Sequence, residues 1–163
     1  MADADELQGD ALIAHLRETF LATPLHKLLD LRFLERGSEE VCIEMPVRPE
    51  AFNASGNLHG GAIATLVDVA AGSCAARASG FDHATQSLVT ADLHVRYLGR
   101  PKGDTVRAEA RVMRSGRMLI VVEIRVLDPL DNVIAAADFS AMVVPRREPL
   151  RAEAPSDPHS PDL

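Results

Sequence analysis

The sequence predicts an α+β fold in which a six-stranded antiparallel sheet wraps a long central helix, with a further helix near the N-terminus. Three observations support this fold class. One segment of 20 residues is apolar or small almost throughout, the four segments after it alternate apolar and polar residues, and the connections between these segments are short. Short connections favour antiparallel neighbours. A length of 163 residues suits one domain with a sizeable core and leaves hardly enough chain for two.

The first third of the chain is predicted to form one helix and two strands. Residues 10–22 carry apolar side chains at helical spacing, and Asp10 is a candidate N-cap. Residues 28–36 and 39–47 are predicted as strands joined by a Gly-Ser turn. Residues 48–58 contain Pro, Gly and Asn and are predicted to form a loop.

Residues 60–79 are the predicted central helix. Twelve of these 20 residues are Gly, Ala or Ser, and such small side chains let a backbone lie close against a curved sheet. An exposed helix would carry a charged stripe, whereas this segment is apolar nearly all round. We therefore expect the sheet to wrap around this helix.

Four strands with a two-residue hydrophobic period are predicted after the helix. Breaks that contain Pro, Gly, Asp and Ser separate them. Because alternate side chains of a strand point to opposite faces, each strand has one predicted core face. These core faces consist of Val89, Ala91, Leu93, Val95 and Tyr97 in the first strand, Val106, Ala108, Ala110 and Val112 in the second, Ile120, Val122, Ile124 and Val126 in the third, and Val133, Ala135, Ala137, Phe139, Ala141 and Val143 in the fourth.

Composition and charge argue against several classes of function. The formal net charge of −7, the absence of Trp and an aromatic content of 4% argue against a nucleic-acid-binding protein. No apolar run approaches the roughly 18 residues that span a bilayer, and the acidic N-terminus does not match a signal peptide. We therefore expect a cytoplasmic protein that binds no membrane. Cys42 and Cys74 lack metal-ligand spacing and are predicted to be buried, reduced thiols.

The predicted domain boundaries follow the composition. Residues 1–9 are expected to form a flexible acidic N-terminus, and residues 10–145 a single domain. Residues 146–163 are rich in Pro and are predicted to be a disordered tail. No internal repeat divides the domain.

Asp68 is the only fully charged side chain between residues 58 and 76, within the predicted central helix. The positions three and four residues away on either side hold Ala, Thr, Ala and Gly, so no neighbour on the helix can pair with it. A desolvated carboxylate is costly unless it is partnered from elsewhere, which makes Asp68 a candidate general base or nucleophile. The alternative is that Asp68 caps a loop or accepts hydrogen bonds from the backbone of a neighbouring strand.

His59, Gly60 and Gly61 stand at the start of this helix, where the first backbone N–H groups have no intrahelical acceptor. Glycines allow another molecule to approach these N–H groups closely, and the positive end of the helix dipole suits a developing oxyanion. The alternative is that the two glycines only form a tight turn into the helix. For His59 itself, we favour a hydrogen bond to the backbone at this turn over catalysis by the imidazole.

Gly60 and Asp68 are eight residues apart and therefore about 12 Å apart along one helix. A general base acts within roughly 3 Å of the group that it activates, or through one water. Asp68 therefore cannot serve an oxyanion hole at Gly60 of its own chain, whereas a second chain related by a two-fold axis can bring its own Asp68 there. We expect a homodimer with two shared active sites.

The residues NLHGGAIATLVDVAAG, from 57 to 72, together with Asn53 and Thr90, resemble the hot-dog-fold acyl-CoA thioesterases of the phenylacetate-pathway (PaaI-like) type. The resemblance continues through the later strands and covers roughly residues 25–145. It implies a hot-dog fold and the hydrolysis of an acyl-CoA to a free carboxylic acid and coenzyme A, with no cofactor. The implied assembly is a homodimer, with a dimer of dimers expected.

The resemblance also implies a role for each site residue. The N–H of Gly60 polarises the thioester carbonyl, and Asp68 of the partner subunit acts as general base or nucleophile. Asn53 orients the water or the carboxylate, Thr90 assists the acid through its hydroxyl, and His59 supports the oxyanion glycine. The further residues expected to contact the acyl-CoA are Gly61, Phe52, Leu58, Arg96 and Arg117.

Two groups of polar residues have competing interpretations. Residues 96–117 hold seven of the 17 basic residues, including Arg96 and Arg117. They form either a landing area for coenzyme A phosphates or a solvated sheet face on which arginines alternate with acidic residues. Asp92 and His94 are two residues apart, as metal ligands can be, but no third ligand has suitable spacing, so no metal site is predicted.

Three functions other than hydrolysis remain open. A non-catalytic acyl-CoA-binding hot-dog module would need no acid in its pocket. A hydratase or dehydratase would need a histidine on the helix after Asp68, and the next histidine is His83. A structural dimer would keep only a vestigial site. Thiol release that depends on Asp68 separates the hydrolase from these alternatives.

Overall fold

The structure, a computed structural model, describes residue 14, residues 16–34 and residues 40–147. Its elements follow the predicted order of helix, two strands, helix and four strands, with one additional short helix before the first strand. One turn of 3-10 helix, Pro49–Ala51, lies in the loop before the long helix. The helices and strands are α1 (described over 16–22), α2 (Pro24–Leu28), β1 (Arg32–Leu34), β2 (Glu40–Pro46), α3 (Gly60–Ser79), β3 (Gln86–Tyr97), β4 (Thr105–Ser115), β5 (Leu119–Leu127) and β6 (Val133–Pro145).

All six strands belong to one antiparallel sheet with the order β1-β2-β4-β5-β6-β3. α3 packs along one face of this sheet and contacts every strand from β2 to β6. The core faces predicted for β4 and β5 are confirmed, as is that of β6 from Ala135 onwards, because Ala108, Val122 and Phe139 are buried, as are their neighbours at two-residue spacing. At the start of β6, Val133 is only half-buried and Ile134 is buried instead, because the pairing of β5 with β6 shifts register there. The predicted sheet of six antiparallel strands around a long helix is therefore confirmed.

α3 begins and ends at the residues predicted from the sequence. Its first residue is Gly60, and Gly80 adopts a left-handed conformation with φ of 57° directly after its last residue, Ser79. The small residues Ala70 and Ala71 on its inner face have no exposed surface. Their small size allows the sheet to approach the helix backbone closely.

Within a single chain the sheet covers one side of α3 and leaves the other side uncovered. Thr65, Asp68, Val69 and Gly72 are half-buried on the side away from the sheet. Because small residues occur on both sides of the helix, the sequence pattern does not distinguish the covered side from the open one. Asp68 therefore lies at the boundary of the domain rather than deep inside it.

An irregularity in β3 changes which of its residues face α3. The pairing of β3 with β6 shifts register between Thr90 and Asp92, so Ala91 is an extra residue in the ladder. The prediction that Val89 and Ala91 share a face with Leu93 is therefore wrong. Thr90 lies on the face that also carries Leu93, and Val89 is 42% exposed.

The prediction for the N-terminal segment is confirmed only in part. Residues 16–22 are helical, but Pro24 starts the unpredicted α2, since proline suits the first turn of a helix, where its missing N–H has no intrahelical acceptor. The prediction of a strand that starts at residue 28 is wrong, because Leu28 is the last residue of α2. Outside the described residues lie the predicted cap Asp10, the turn at residues 37–38, the N-terminal segment 1–9 and residues 148–163 of the predicted tail.

Both cysteines are buried and neither forms a disulfide within the described residues, as the sequence predicts. Burial raises the pKa of the Cys74 thiol, which donates a hydrogen bond of 3.5 Å to the carbonyl oxygen of Ala110. In the described part of the chain, no helix is long and apolar enough to cross a membrane.

Asp128 is the only charged side chain among the described residues that is buried, and it has no exposed surface. It stands at the turn between β5 and β6. Its carboxylate accepts hydrogen bonds from the amide of Asn132 and from the N–H groups of Lys102, Leu130 and Asn132. Burial acts to raise the pKa of Asp128, but these hydrogen bonds favour the charged form and lower the pKa to about 2.

The low pKa of Asp128 predicts a loss of stability in acid. Because the pKa is lower in the folded chain than in the unfolded chain, the contribution to stability is complete above the unfolded value of about 4 and is lost as the pH falls towards about 2. We expect the free energy of unfolding in urea to fall over this interval, and to fall less in Asp128→Asn. The exposed Asp104→Asn is the control and should fall as the wild type does; an equal fall in all three proteins would refute the assignment.

Candidate active site

The start of α3 is capped by a side chain and leaves one backbone donor free. The Nδ1 atom of His59 accepts a hydrogen bond of 2.8 Å from the N–H of Gly61, which confirms that this histidine bonds the backbone. The N–H groups of Ala62 and Ile63 donate to the carbonyl oxygen of His59. The N–H of Gly60 donates to no acceptor within the described residues, and it lies at the positive end of the helix dipole.

Tyr97, the last residue of β3, holds the first peptide group of α3 in place. Its hydroxyl donates a hydrogen bond of 3.0 Å to the carbonyl oxygen of Gly60. The same peptide group, between Gly60 and Gly61, is held at its N–H by His59. A Cβ atom at Gly60 would lie 3.4 Å from Cζ of the tyrosine, so the ring covers this side of the glycine. Sequence reasoning placed Tyr97 on the core face of β3 but missed this contact, which joins residues 37 positions apart.

Asp68 and Thr90 form a second part of the site. The hydroxyl of Thr90 donates a hydrogen bond of 3.0 Å to Oδ1 of Asp68, so the structure brings these two predicted residues together. The bulge at Ala91 allows this contact, because it turns the side chain of Thr90 towards α3. No described basic side chain forms an ion pair with Asp68, and no described residue donates to its Oδ2 atom. That oxygen is therefore open to a water or a substrate.

Asn53 shapes the loop that leads into α3. Its Oδ1 atom accepts hydrogen bonds from the N–H groups of Ser55 (2.9 Å) and Asn57 (3.1 Å). A β-bridge between Phe52 and Leu58 closes the loop at its base. The side-chain oxygen of Asn53 is thus committed to the loop, and its amide nitrogen is the group that can still donate to a water or a carboxylate.

The site residues fall into two halves within one chain. The amide half lies at the N-terminal end of α3 and consists of Asn53, His59, Gly60, Gly61 and Tyr97. Asp68 and Thr90 are the acid half. The two halves are separated along α3 by eight residues, or about 12 Å, because α3 is a single continuous helix. A single chain therefore does not bring the free N–H of Gly60 and the carboxylate of Asp68 to one reacting group.

A cavity of about 560 Å³ adjoins the acid half. It lies between α3 and β3, and α1 forms one of its walls. Asp68 and Thr90 lie on its lining. The apolar or small residues of the lining are Leu16, Phe20, Val69, Gly72, Ala76, Phe81 and Leu88. Its further polar residues are Thr19, His26, Ser73, His83, Gln86, Ser87, Arg146 and Arg147.

The structure does not bring Arg96 or Arg117 to either half. Arg96 lies on the sheet face opposite α3, where it forms an ion pair of 2.9 Å with Asp138. Arg117 lies in the turn between β4 and β5. The hydroxyl of Ser115 in the same hairpin donates to the carbonyl oxygen of Ala78, which places that hairpin at the C-terminal end of α3.

Other arginines of the segment 96–117 are paired with acidic residues. Arg107 forms ion pairs with Glu109 and Asp131, and Arg111 forms one with Glu40. These pairs favour the interpretation of a sheet face with alternating charges. On the same face His94 lies 3.9 Å from Asp138, and within residues 40–147 and the described N-terminal residues no group of three or more His, Cys, Asp or Glu residues could hold a metal ion.

Comparisons with known proteins agree with this geometry. The family model of the thioesterase superfamily matches residues 55–135, which include α3 and the start of β6. The candidate esterase ComA2 of Bacillus subtilis is 30% identical over 120 residues, which are 74% of this chain and 94% of the relative. The candidate esterase SSO2140 of Saccharolobus solfataricus is 31% identical over 108 residues, covering 66% of this chain and 74% of the relative.

Several solved structures with the same fold are at least 25% identical to this chain, among them the following two. A mutant of the thioesterase PA1618 from Pseudomonas aeruginosa has a TM-score of 0.73 and 25% identity, and the match covers 82% of this chain and 94% of that one. The BH2602 protein of Bacillus halodurans, crystallised with CoA, has a TM-score of 0.70 and 28% identity, with 90% and 98% covered. The fold is thus that of the hot-dog thioesterases, and the chain belongs to the thioesterase superfamily.

The contact between Tyr97 and Gly60 predicts a measurable effect on thioester hydrolysis. We expect Tyr97→Phe to lower kcat about fivefold with KM nearly unchanged, since one hydrogen bond of about 1 kcal/mol that positions the start of α3 is lost. Steady-state kinetics measures both constants. Ser115→Ala, which removes a hydroxyl bonded to a carbonyl at the other end of α3, is the matched control and should keep the wild-type kcat. A normal kcat in Tyr97→Phe would exclude this positioning role.

Proposed function

We propose that this chain is an acyl-CoA thioesterase that hydrolyses a thioester to a free carboxylic acid and coenzyme A. The observation that carries the proposal is that one helix, α3, presents both a free N–H at Gly60 and a carboxylate at Asp68. Membership of the thioesterase superfamily supports the thioester, and the relative BH2602, crystallised with CoA, supports coenzyme A as the thiol part of the substrate.

The amide half polarises the thioester carbonyl. The N–H of Gly60 donates to the carbonyl oxygen of the substrate, and the helix dipole stabilises the negative charge that develops on that oxygen. His59 and Tyr97 keep the following peptide group fixed, so the N–H of Gly60 keeps its direction during the reaction. No strong general acid is needed, because the thiolate of coenzyme A is a good leaving group.

The acid half supplies the attacking group. The hydroxyl of Thr90 fixes Oδ1 of Asp68, which leaves Oδ2 to accept a proton from a water as that water attacks the carbonyl carbon. Direct attack by the carboxylate, which would form an anhydride, uses the same geometry. Isotope labelling in a single turnover separates the two routes, because only the anhydride route transfers solvent oxygen to Asp68.

Two copies of the chain complete each site. The outer edge of β3 is 12 residues long and pairs with no other strand in the described part of the chain, and such an edge favours pairing with a second strand. In an antiparallel arrangement of two α3 helices that sets Asp68 against the partner's Gly60, the partner's loop of residues 53–57 comes next to Gly72. That arrangement supports the expected contacts of Phe52 and Leu58 with the acyl-CoA. A dimer of dimers remains part of this proposal.

The role of Asp68 is tested by an isosteric substitution. We expect Asp68→Asn to lower kcat/KM for acyl-CoA hydrolysis by about 10²–10⁴-fold without loss of the fold, since the amide cannot take a proton. Release of coenzyme A is measured with a thiol reagent, and the fold by circular dichroism. Asp92→Asn, on the outer face of β3, is the control and should stay active. Near-wild-type activity in Asp68→Asn would refute the assignment, whereas tight acyl-CoA binding by the wild type without turnover would favour the binding module.

The shared site is tested by mixing two inactive variants. Asn53→Ala impairs the amide half and Asp68→Asn impairs the acid half. Neither homodimer therefore has an intact site, whereas a mixed dimer has one intact site of two. After the subunits are unfolded together and refolded, we expect about a quarter of wild-type activity, since about half of the dimers are mixed and each has one intact site of two. Failure to recover activity, with mixed dimers demonstrated by mass spectrometry, would refute shared sites.

A further inference from the structure

We infer that the cavity beside Asp68 holds the acyl group and that Gly72 sets the size of acyl group it accepts. This inference rests on the proposed thioesterase function and names its substrate class, which is apolar acyl groups well beyond acetyl, up to a length of about 12 Å. The cavity has about 560 Å³, which lies within the range of about 300–1,000 Å³ typical of small-molecule sites.

The cavity runs along one face of α3 away from the reacting carboxylate. Gly72 and Ala76 follow Asp68 at intervals of four residues, so they lie on the same helix face at about 6 Å and 12 Å from it. β3 runs along the other side of the cavity from Thr90 through Leu88. An acyl group whose thioester carbon is held at Asp68 can therefore extend between α3 and β3 past Gly72.

The middle of the cavity offers an apolar surface. Val69 and Leu88 contribute from α3 and β3, and Leu16 and Phe20 contribute from α1. Phe20 is buried, and Leu16 is half-buried. Such a surface binds an apolar chain favourably, because the contact removes apolar area of both from water. This apolar part of the lining does not favour the charged phosphates of coenzyme A, so it is assigned to the acyl side of the thioester, whereas His83, Arg146 and Arg147 line another part of the same cavity.

Within a single chain, no neighbouring atom excludes a side chain at Gly72. A Cβ atom placed on it would meet no atom within 4 Å, whereas at Gly61 it would meet Nδ1 of His59 at 2.9 Å. Glycine in the interior of a helix is destabilising relative to alanine. Within the chain, Gly72 therefore lowers the stability of α3 without relieving a clash, and what it provides is open space in the cavity on the side that faces the partner's loop in the proposed dimer.

The far end of the cavity is polar, which limits the length of an apolar acyl group. His83, Gln86, Arg146 and Arg147 line this end, and Arg146 donates a hydrogen bond of 2.6 Å to the carbonyl oxygen of His83. An aliphatic chain that reached these groups would displace water from a charged guanidinium without replacing its hydrogen bonds. The favoured acyl groups therefore end near Ala76, about 12 Å from Asp68.

The experiment compares acyl-CoA chain lengths in wild type and in Gly72→Leu. We expect wild-type kcat/KM to rise from acetyl-CoA to octanoyl-CoA. In Gly72→Leu we expect kcat/KM for octanoyl-CoA to fall at least about tenfold, while the value for acetyl-CoA stays within about threefold of wild type, because the new side chain fills the cavity about 6 Å from the carboxylate. Gly72→Ala should give the same pattern with a smaller fall.

A matched control separates the cavity from a general effect on the helix. Ala78→Leu also introduces a leucine into α3, at an exposed position outside this cavity, and should leave the profile of chain lengths unchanged. Circular dichroism establishes that each variant folds; if Gly72→Leu does not fold, Gly72→Ala decides the question.

Each remaining outcome has one interpretation. An equal loss for acetyl-CoA and octanoyl-CoA in Gly72→Leu would overturn the inference, since the cavity would then hold the pantetheine arm or no substrate. An unchanged profile would overturn it as well. Either result leaves the thioesterase function intact if hydrolysis still depends on Asp68, whereas a wild type that hydrolyses no acyl-CoA would refute the proposed function itself.

Discussion

One rigid helix carries both the free N–H of Gly60 and the carboxylate of Asp68, and this constraint governs the rest of the structure. A continuous α-helix does not bend enough to bring together groups separated by two turns, so the separation of about 12 Å persists in every copy of the chain. The helix can lie flat on the sheet because its inner face is built from small residues such as Ala70 and Ala71. The same packing leaves its outer face uncovered by the sheet.

Contacts between distant parts of the chain then orient the two halves of the site. Tyr97, at the end of β3, holds the first peptide group of α3, while Thr90, near the middle of β3, holds the carboxylate of Asp68. Both residues reach α3 from the same face of one strand, although their positions differ by seven, an odd number that would place them on opposite faces of a regular strand. The bulge at Ala91 adds one residue to β3, so the side chains before and after it that face α3 change from even to odd positions.

Several site residues were predictable because their chemistry is visible locally. Asp68 stands alone in an apolar helix, and the two glycines after His59 mark a helix start with free donors. Thr90 entered the prediction only through the family resemblance. The contact of Tyr97 with Gly60 was not predictable, because it depends on how β3 crosses the end of α3, and no local pattern records that crossing. The loop contacts of Asn53 likewise depend on backbone geometry.

By itself, the sequence determined the bounds of α3 and the inner faces of β4, β5 and β6, because these follow from periodicity and from the turn residues at their ends. Only the tertiary structure decided which side of α3 the sheet covers, where β3 changes register, and that a short helix starts at Pro24. The physical reason is that periodicity is a property of neighbouring residues. Which side of a helix a sheet covers, and the register of a strand, are decided only when segments far apart in the chain pack against each other.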